Sequence, residues 1–328
     1  MRKTFILSAA TLAALFLSAS CRKESSVTPF PSTEKEFVTL SVNVGSETKA
    51  ASTTQSADNK VNSVQVFVFD ASGAFETKES GTSTSLSIKC VTGSKKIVAL
   101  VNAPAVNPAS YNALMSTVSA LSDNALSSFV MVGDISKTVS ASDNTVSITV
   151  KRLVAKVSIE RITNAMTGIN ATKSFVVKKI YLVNVAGNTT YALGAPTVWL
   201  NQMGWSTSAS DALLYDVVST GGTVANGSSY SVRHDFFPYP NPTASDNQND
   251  TWSARHTRLV VEATLGGEQV YYPITLPVLE RNKTYTISEL TIKVPGSEDP
   301  DKPVEKDEAT FTLSVSDWES GALINQEI

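Results

Sequence analysis

Short runs in which apolar and polar residues alternate recur along almost the whole chain. The run FVTLSVNV at 37–44 places Val38, Leu40, Val42 and Val44 on one face. Alternation with a period of two residues is typical of a β-strand that is buried on one side. Similar runs are separated by stretches rich in Gly, Asn, Ser and Pro. This pattern predicts an all-β protein built from β-sandwiches rather than a parallel α/β sheet.

The length and the strand pattern together predict two tandem domains. A chain of 328 residues suggests about two domains. The run NTVSITVKRLVAKVSIERI is long enough for two successive strands, one closing the first domain and one opening the second. We therefore predict β-sandwich domains at 37–151 and 152–294, followed by a linker and a C-terminal strand at 295–328.

One segment, 107–129, departs from the strand pattern. Its Leu114, Val118 and Leu121 stand among Ala, Ser and Asn at the spacing of one helix face. Apolar residues at intervals of three and four predict an amphipathic helix in this segment.

The first residues have the pattern of a secretory signal peptide. Arg2 and Lys3 precede a short apolar run, and small residues then lead into Cys21. This order predicts removal of residues 1–20 and attachment of lipid to the Cys21 thiol, as at a bacterial lipobox. Residues 21–36 would then form a lipidated spacer. The alternative is an ordinary signal peptide followed by an incidental cysteine.

Composition and motifs argue against several other functions. The formal net charge of −3 gives no electrostatic case for binding nucleic acid. The two histidines, His234 and His256, have no second His or Cys at metal-ligand spacing, and no nucleophile motif accompanies them. Cys90 ends an alternating run and is interpreted as a small hydrophobic residue. We expect no catalytic residue, no metal and no cofactor, and therefore no enzyme.

The end of the chain carries an extra strand. The stretch TFTLSVSDW at 310–318 alternates like a strand and follows an acidic segment that contains prolines. Its apolar face consists of Phe311, Leu313 and Val315. Trp318 breaks the alternation, which predicts a bulge near Ser316–Asp317. The letters T-L-S-V in this strand also occur in the first strand.

The order of these features resembles the fimbrillins of Bacteroidales, the subunits of type V pili. A lipobox cysteine, the first strand, VNSVQVFVFD, KKIVALVNAP, VKRLVAKVSI, RNKTYTISELTIKV and a final strand with Trp follow one another as in that family. The resemblance covers essentially the whole chain after the signal peptide. It implies two transthyretin-like β-sandwich domains and a structural subunit of a surface fimbria that supports adhesion.

The resemblance also implies how such a subunit assembles. The precursor would be anchored in outer-membrane lipid through Cys21, and a trypsin-like protease would cut between Lys49 and Ala50. Loss of the first strand, with its Val38, Leu40, Val42 and Val44, would open a groove. The C-terminal strand of another copy, or of a related pilus subunit, would then fill it. The donor residues would be Phe311, Leu313, Val315 and Trp318.

Other interpretations stay open at this point. Lys49 could be an ordinary solvated lysine, and Lys60 is a second possible cleavage site. A surface lipoprotein that binds glycans without polymerising would explain the lipobox and the sandwiches, but not the linker and the extra strand. Because the chain has both a donor strand and a cleavage loop, the resemblance favours a stalk subunit over a tip or an anchor subunit.

Overall fold

A computed structural model of the protein describes residues 36–46, 57–204, 210–244, 253–302, 309–318 and 324–325. All of them belong to one compact unit, Glu36–Ile328, whereas the other unit, Met1–Lys35, lies outside the described residues. The signal peptide, Cys21, Lys49 and Ala50 therefore also lie outside them.

A seven-stranded sheet dominates the first half of the chain. Its order is β4-β3-β6-β8-β9-β1-β5, and β1 is an inner strand. The strands of this half, of which β2 and β7 lie outside the seven-stranded sheet, are β1 Phe37–Ser46, β2 Lys60–Val61, β3 Val64–Phe69, β4 Phe75–Gly81, β5 Ser85–Val91, β6 Gly93–Val101, β7 Val118–Ala120, β8 Met131–Val139 and β9 Thr145–Arg152. The strands that the alternating runs predict in this half are therefore observed.

The second half forms its own sheets. One has the order β17-β11-β21-β10-β18 and another the order β16-β12-β19-β20. The strands are β10 Lys156–Ile159, β11 Ile162–Asn164, β12 Phe175–Val183, β13 Val185–Ala186, β14 Asn188–Thr190, β15 Trp199–Leu200, β16 Tyr215–Val217, β17 Ser229–Tyr230, β18 His234–Phe236, β19 Arg258–Leu265, β20 Glu268–Thr275 and β21 Lys283–Ile292. The two successive strands β9 and β10 belong to different sheets.

The C-terminal segment contributes two more strands. They are β22 Ala309–Asp317, which pairs antiparallel with β21, and β23 Ile324–Asn325, which pairs parallel with β2. Because β10 and β11 pair with successive parts of β21, they occupy one of its edges and β22 occupies the other.

The helix predicted within 107–129 is confirmed only over one short stretch, Tyr111–Met115. The α-helices of the described residues are α1 Tyr111–Met115 and α2 Asp211–Leu214, and single 3-10 turns occur at Ala57–Asn59, Leu121–Asp123 and Gly168–Thr172. The Ser110 side chain caps α1, which ends before Ser116. Val118–Ala120 instead forms β7 and pairs with β14. Ser and Thr are weak helix formers, so a distant strand partner overrides the local apolar spacing.

Two large buried clusters, and a small third one of Tyr181, Val183 and Val260, lie within the described residues. The first combines the inward side chains of β1 with residues of β3, β5, β6, β8 and β9, and the second runs from Phe67 to Trp318 and includes both halves of the chain. The all-β prediction is confirmed. Within the described ranges, every helix falls short of the length and apolar character that a membrane-spanning helix requires.

Candidate assembly site

The first strand, β1, is buried on one face along its length. The exposed fraction is 9% at Val38, 0% at Leu40, 1% at Val42 and 5% at Val44, and the side chains between them are exposed or half-buried. The predicted alternation of this strand is therefore confirmed. Its inward face packs in one buried cluster with side chains of β3, β5, β6, β8 and β9.

The backbone of β1 completes the ladders of two neighbouring strands. It runs antiparallel to β5 from Phe37 to Asn43 and parallel to β9 from Ser41 to Ser46. Among the described residues β5 pairs with no other strand, so loss of β1 would detach it from the sheet. Each buried backbone group left without a partner costs about 1–3 kcal/mol. An emptied groove would therefore favour a replacement strand.

We expect Leu40→Ala to lower the free energy of unfolding by about 2–5 kcal/mol, because the lost side chain leaves a cavity at a fully buried position. The matched control is Thr39→Ala, one residue away on the exposed face, which should change it by less than about 0.5 kcal/mol. Urea denaturation of both variants measures the difference. Equal losses would contradict the burial of β1.

Cys90 lies beside β1 on the neighbouring strand β5. It stands opposite Val38 in the ladder between the two strands, and its side chain is 1% exposed. Burial raises the pKa of the Cys90 thiol, the Glu76 carboxylate raises it further, and Lys95 opposes the shift. A buried, neutral thiol is chemically inert. The interpretation of Cys90 as a small hydrophobic residue is confirmed.

The C-terminal strand β22 lies on the outer edge of β21 with its apolar face only partly covered. Phe311 is 44% exposed, Val315 is 54% exposed and Leu313 is half-buried. Their partners across the ladder are Leu290, Tyr285 and Ile287, which are buried. The apolar face of β22 thus points to the core side of the sheet but overhangs its edge.

The expected bulge near Ser316–Asp317 is not there. The strand β22 continues to Asp317, and the irregularity lies in its partner, between Ile287 and Glu289 of β21. A bulge adds one residue to one strand of a pair. The extra residue in β21 lets Ile287 and Leu290 both face the core, which strict alternation would not allow.

Trp318 follows β22 and fills an aromatic socket. Its ring stacks on Phe237 with centroids 5.6 Å apart and meets the edge of Phe129 at 5.7 Å. The Arg152 guanidinium lies 4.3 Å from the ring centroid, and the Lys156 ammonium lies 5.6 Å from it. With 5% of its surface exposed, Trp318 is the most deeply buried side chain of this segment.

Arg152 connects this socket to the segment that follows the predicted cleavage loop. Its Nε donates to the Asp58 carbonyl oxygen at 3.1 Å, its Nη2 donates to Asn59, and its Nη1 donates to Asn282 Oδ1 at 3.0 Å. Burial lowers the pKa of Arg152 to about 10, although Asp58 opposes the shift. No sequence pattern marks this arginine, because its partners are about 90 and 130 residues away.

We expect Trp318→Ala to weaken the docking of β22 by about 3 kcal/mol, because large-to-small changes of buried aromatic residues cost about that much. Amide hydrogen exchange in Ala309–Asp317 should then accelerate by about 100-fold. Trp318→Phe keeps a ring against Phe237 and should have a much smaller effect. Unchanged exchange in Trp318→Ala would show that the socket does not hold the strand.

His234 is held by two neighbouring polar side chains. His234 is buried, with Nδ1 at 2.6 Å from Asp216 Oδ2 and Nε2 at 2.8 Å from the Tyr230 hydroxyl oxygen. Asp235 points away from it and bonds to Ser158, as expected for neighbours on a strand. In the part of the chain that the structure describes, no three His, Cys, Asp or Glu side chains are grouped so as to hold a metal ion.

Comparison with known families supports a structural role. The model of the major fimbrial subunit protein (FimA) family matches residues 38–252, well over half of the chain. The match begins inside β1 and ends shortly before β19. No curated protein matches the chain.

Solved structures share the fold. A candidate cell adhesion protein from Bacteroides eggerthii matches with a TM-score of 0.68 and 19% identity over 87% of this chain and 97% of that one. A fimbrilin (FimA) from Porphyromonas gingivalis matches with a TM-score of 0.64 and 16% identity over 88% of this chain and 98% of that one. The tip fimbrial protein Mfa3 from the same species, with a C-terminal truncation, matches with a TM-score of 0.52 and 15% identity over 86% of this chain and 100% of that one. At such identities the likeness shows the fold alone.

Proposed function

The chain belongs to the family of major fimbrial subunit proteins (FimA), and from this premise we propose that it is the repeating stalk subunit of a fimbria that polymerises by strand exchange. Members of this family are structural subunits of surface fimbriae and not enzymes. One observation carries the proposal. The first strand, β1, fills a groove with its apolar face fully covered, whereas β22 has the same kind of apolar face and leaves it half exposed.

Activation would begin with export as a lipoprotein held in outer-membrane lipid through Cys21. A trypsin-like protease would then cut between Lys49 and Ala50, shortly after the end of β1 at Ser46. These residues lie outside the described ranges, so the support comes from the sequence and from the position of β1. Once the loop is cut, β1 is held by non-covalent contacts alone, chiefly its two ladders and its four buried side chains.

The energetics favour replacement of β1 by a second strand. Four buried apolar side chains contribute roughly 6–12 kcal/mol before ordering costs, so the empty groove is unstable in water. Among the described residues of its own subunit, β22 has a ladder on one edge only. In the groove it would gain a ladder on each edge, from β5 and β9, and would bury its apolar face.

The side chains of β22 suit the groove in number and spacing. Four inward positions of β1 are occupied by Val38, Leu40, Val42 and Val44. Four alternating positions of β22 carry Ala309, Phe311, Leu313 and Val315. A strand placed in this way buries no charged residue, and Asp317 stays beyond the fourth position. Trp318 would add a contact at the end of the donated strand.

Such an exchange produces a polymer. The groove is in the first half of the chain and the donor is at its end, so each contact is head-to-tail and does not close. Repetition gives a filament of copies of this chain, joined with related pilus subunits. At the cell surface the filament would support adhesion.

The proposal is tested by cutting the purified chain within residues 47–56 and examining it by electron microscopy. Filaments should form after the cut, and neither the uncut chain nor a cut chain without residues 309–328 should form them. Filaments from the truncated chain would exclude donation of this strand. A cut chain that remains monomeric and binds glycans would favour the non-polymerising glycan-binding lipoprotein instead.

A further inference from the structure

The segment after β21 is fixed to the second half of the chain by one buried carboxylate. Asp301 Oδ1 accepts hydrogen bonds from Arg258 Nη1 and Asn184 Nδ2, both at 2.6 Å. Its Oδ2 accepts one from Arg255 Nη1, also at 2.6 Å. The exposed fractions of Asp301, Arg255 and Arg258 are 3%, 1% and 0%. This is a fully buried ionic cluster on a segment whose sequence predicts a linker.

The residues just before Asp301 are also held in place. Ser297 and Tyr271 of β20 exchange backbone hydrogen bonds of 2.8 and 2.9 Å. A Cβ at Gly296 would overlap the carbonyl oxygen of Tyr271, so only glycine permits this approach. The Asp301 amide donates to Asp299 Oδ1 at 2.8 Å. We call residues 296–301 the strap.

The charges make the strap costly to detach. Two buried guanidinium groups share the Asp301 carboxylate, and Arg255 Nη2 has no hydrogen-bond partner among the described residues. Withdrawal of Asp301 would leave the buried positive charge of Arg255 without its only described acidic partner, and such a buried, uncompensated charge is strongly unfavourable. By contrast, β22 is held by one edge ladder and by Trp318.

We infer that Asp301 is a positioning residue, which keeps the strap on its own subunit when β22 is donated and so fixes the point at which the donated strand leaves. This inference rests on the proposed strand exchange. The releasable segment then begins after Lys302 and not at residue 295. Seven residue steps separate Lys302 from Ala309, and an extended chain covers about 25 Å in that number. The next groove must lie within this reach, which limits the spacing and tilt of successive subunits.

The first test uses the full, uncut chain and hydrogen exchange detected by mass spectrometry. Asp301→Asn should raise exchange at the strap by about 100-fold, because it leaves a buried charge uncompensated, while exchange in β1–β9 stays unchanged. Glu298→Gln, which changes an exposed carboxylate within the strap, should have no effect. If Asp301→Asn does not fold, Arg255→Lys keeps the charge but replaces the guanidinium that donates to Asp301 Oδ2, and it should raise strap exchange by about tenfold. Unchanged hydrogen exchange at the strap in the folded variants would show that Asp301 does not hold the strap in place.

The second test compares the wild-type monomer with the polymer. Strap exchange should remain as slow in the polymer as in the monomer, although β22 changes partners. Filaments of Asp301→Asn should form but lose the sharp axial repeat that filaments of wild type and Glu298→Gln show by electron microscopy. Loss of strap protection in wild-type filaments, or an equally sharp repeat in Asp301→Asn filaments, would overturn the positioning role. If no variant polymerises, the proposed strand exchange fails, and the first test still decides whether Asp301 holds the strap.

Discussion

Removal of β1 is expected to raise the rate at which a maleimide labels Cys90 by roughly 100-fold or more, because the thiol is buried beside that strand and reacts only when the strand opens. With β1 gone, β5 loses its strand partner and Cys90 borders the open groove. A synthetic peptide with residues 309–318 should restore the slow rate, because it would occupy the same groove.

This experiment needs a chain that starts at residue 22, which leaves Cys90 as its only thiol. A specific protease sequence placed within residues 47–56 allows the cut, and mild denaturant followed by dialysis removes the freed strand. A peptide with Asp in place of Leu313 and Val315 is the matched control and should give no protection. Equal labelling rates before and after removal of β1 would show that Cys90 is not covered by that strand.

The second large effect is expected for Val315→Asp, which should abolish polymerisation while leaving the monomer folded. In the monomer Val315 is 54% exposed, so a carboxylate there stays hydrated. In the groove it would take a buried position without a partner, at a cost of several kcal/mol, which corresponds to more than about 100-fold in the exchange equilibrium.

Ser314→Asp is the matched control for this change. It adds the same charge one residue away on the opposite face of β22, which would remain in solvent after insertion. Sedimentation measures the filament yield, and thermal unfolding of the uncut monomers measures their stability, so the two effects are separated. Filaments of Val315→Asp at wild-type yield would mean that the apolar face of β22 is not buried in the polymer.

The strands themselves could be predicted because their residues alternate locally. The burial of Val38, Leu40, Val42 and Val44 follows from a period of two residues. The failure at 107–129 has the opposite cause, since Val118–Ala120 becomes a strand only because β14 lies beside it in space. A partner about 70 residues away leaves no trace in a local pattern.

The polar contacts of the candidate site were beyond sequence reasoning for a related reason. Asp301 stands in an acidic, proline-containing stretch that has the composition of a linker, and its arginine partners are more than 40 residues earlier. Arg152 has the same difficulty, with partners on both sides of it in sequence. Composition indicates whether a segment can fold alone, and it does not show that a distant buried charge will pair with one of its residues.

The strands β1 and β22 differ in their strand neighbours and in the exposure of their apolar faces. Their shared T-L-S-V letters give both an alternating apolar face, but β1 has two strand neighbours and a covered face, while β22 has one neighbour and a half-exposed face. This difference in strand partners and burial favours replacement of β1 by the β22 strand of another subunit. Trp318 and its socket oppose it by holding β22 on its own subunit.

The most direct measurement of strand exchange is a disulfide between Cys90 of one subunit and a cysteine placed on β22 of another. In the proposed register Ala309 takes the place of Val38, opposite Cys90. In a chain without Cys21, Ala309→Cys should therefore give a covalent ladder on a non-reducing gel after the cut within residues 47–56. Val315→Cys, which faces the same way but lies about 20 Å further along the strand, should give none. The ladder should be absent without the cut and should collapse to monomer under reducing conditions. Filaments that form readily but show no ladder from Ala309→Cys would contradict insertion of β22 into the groove of β1 in this register.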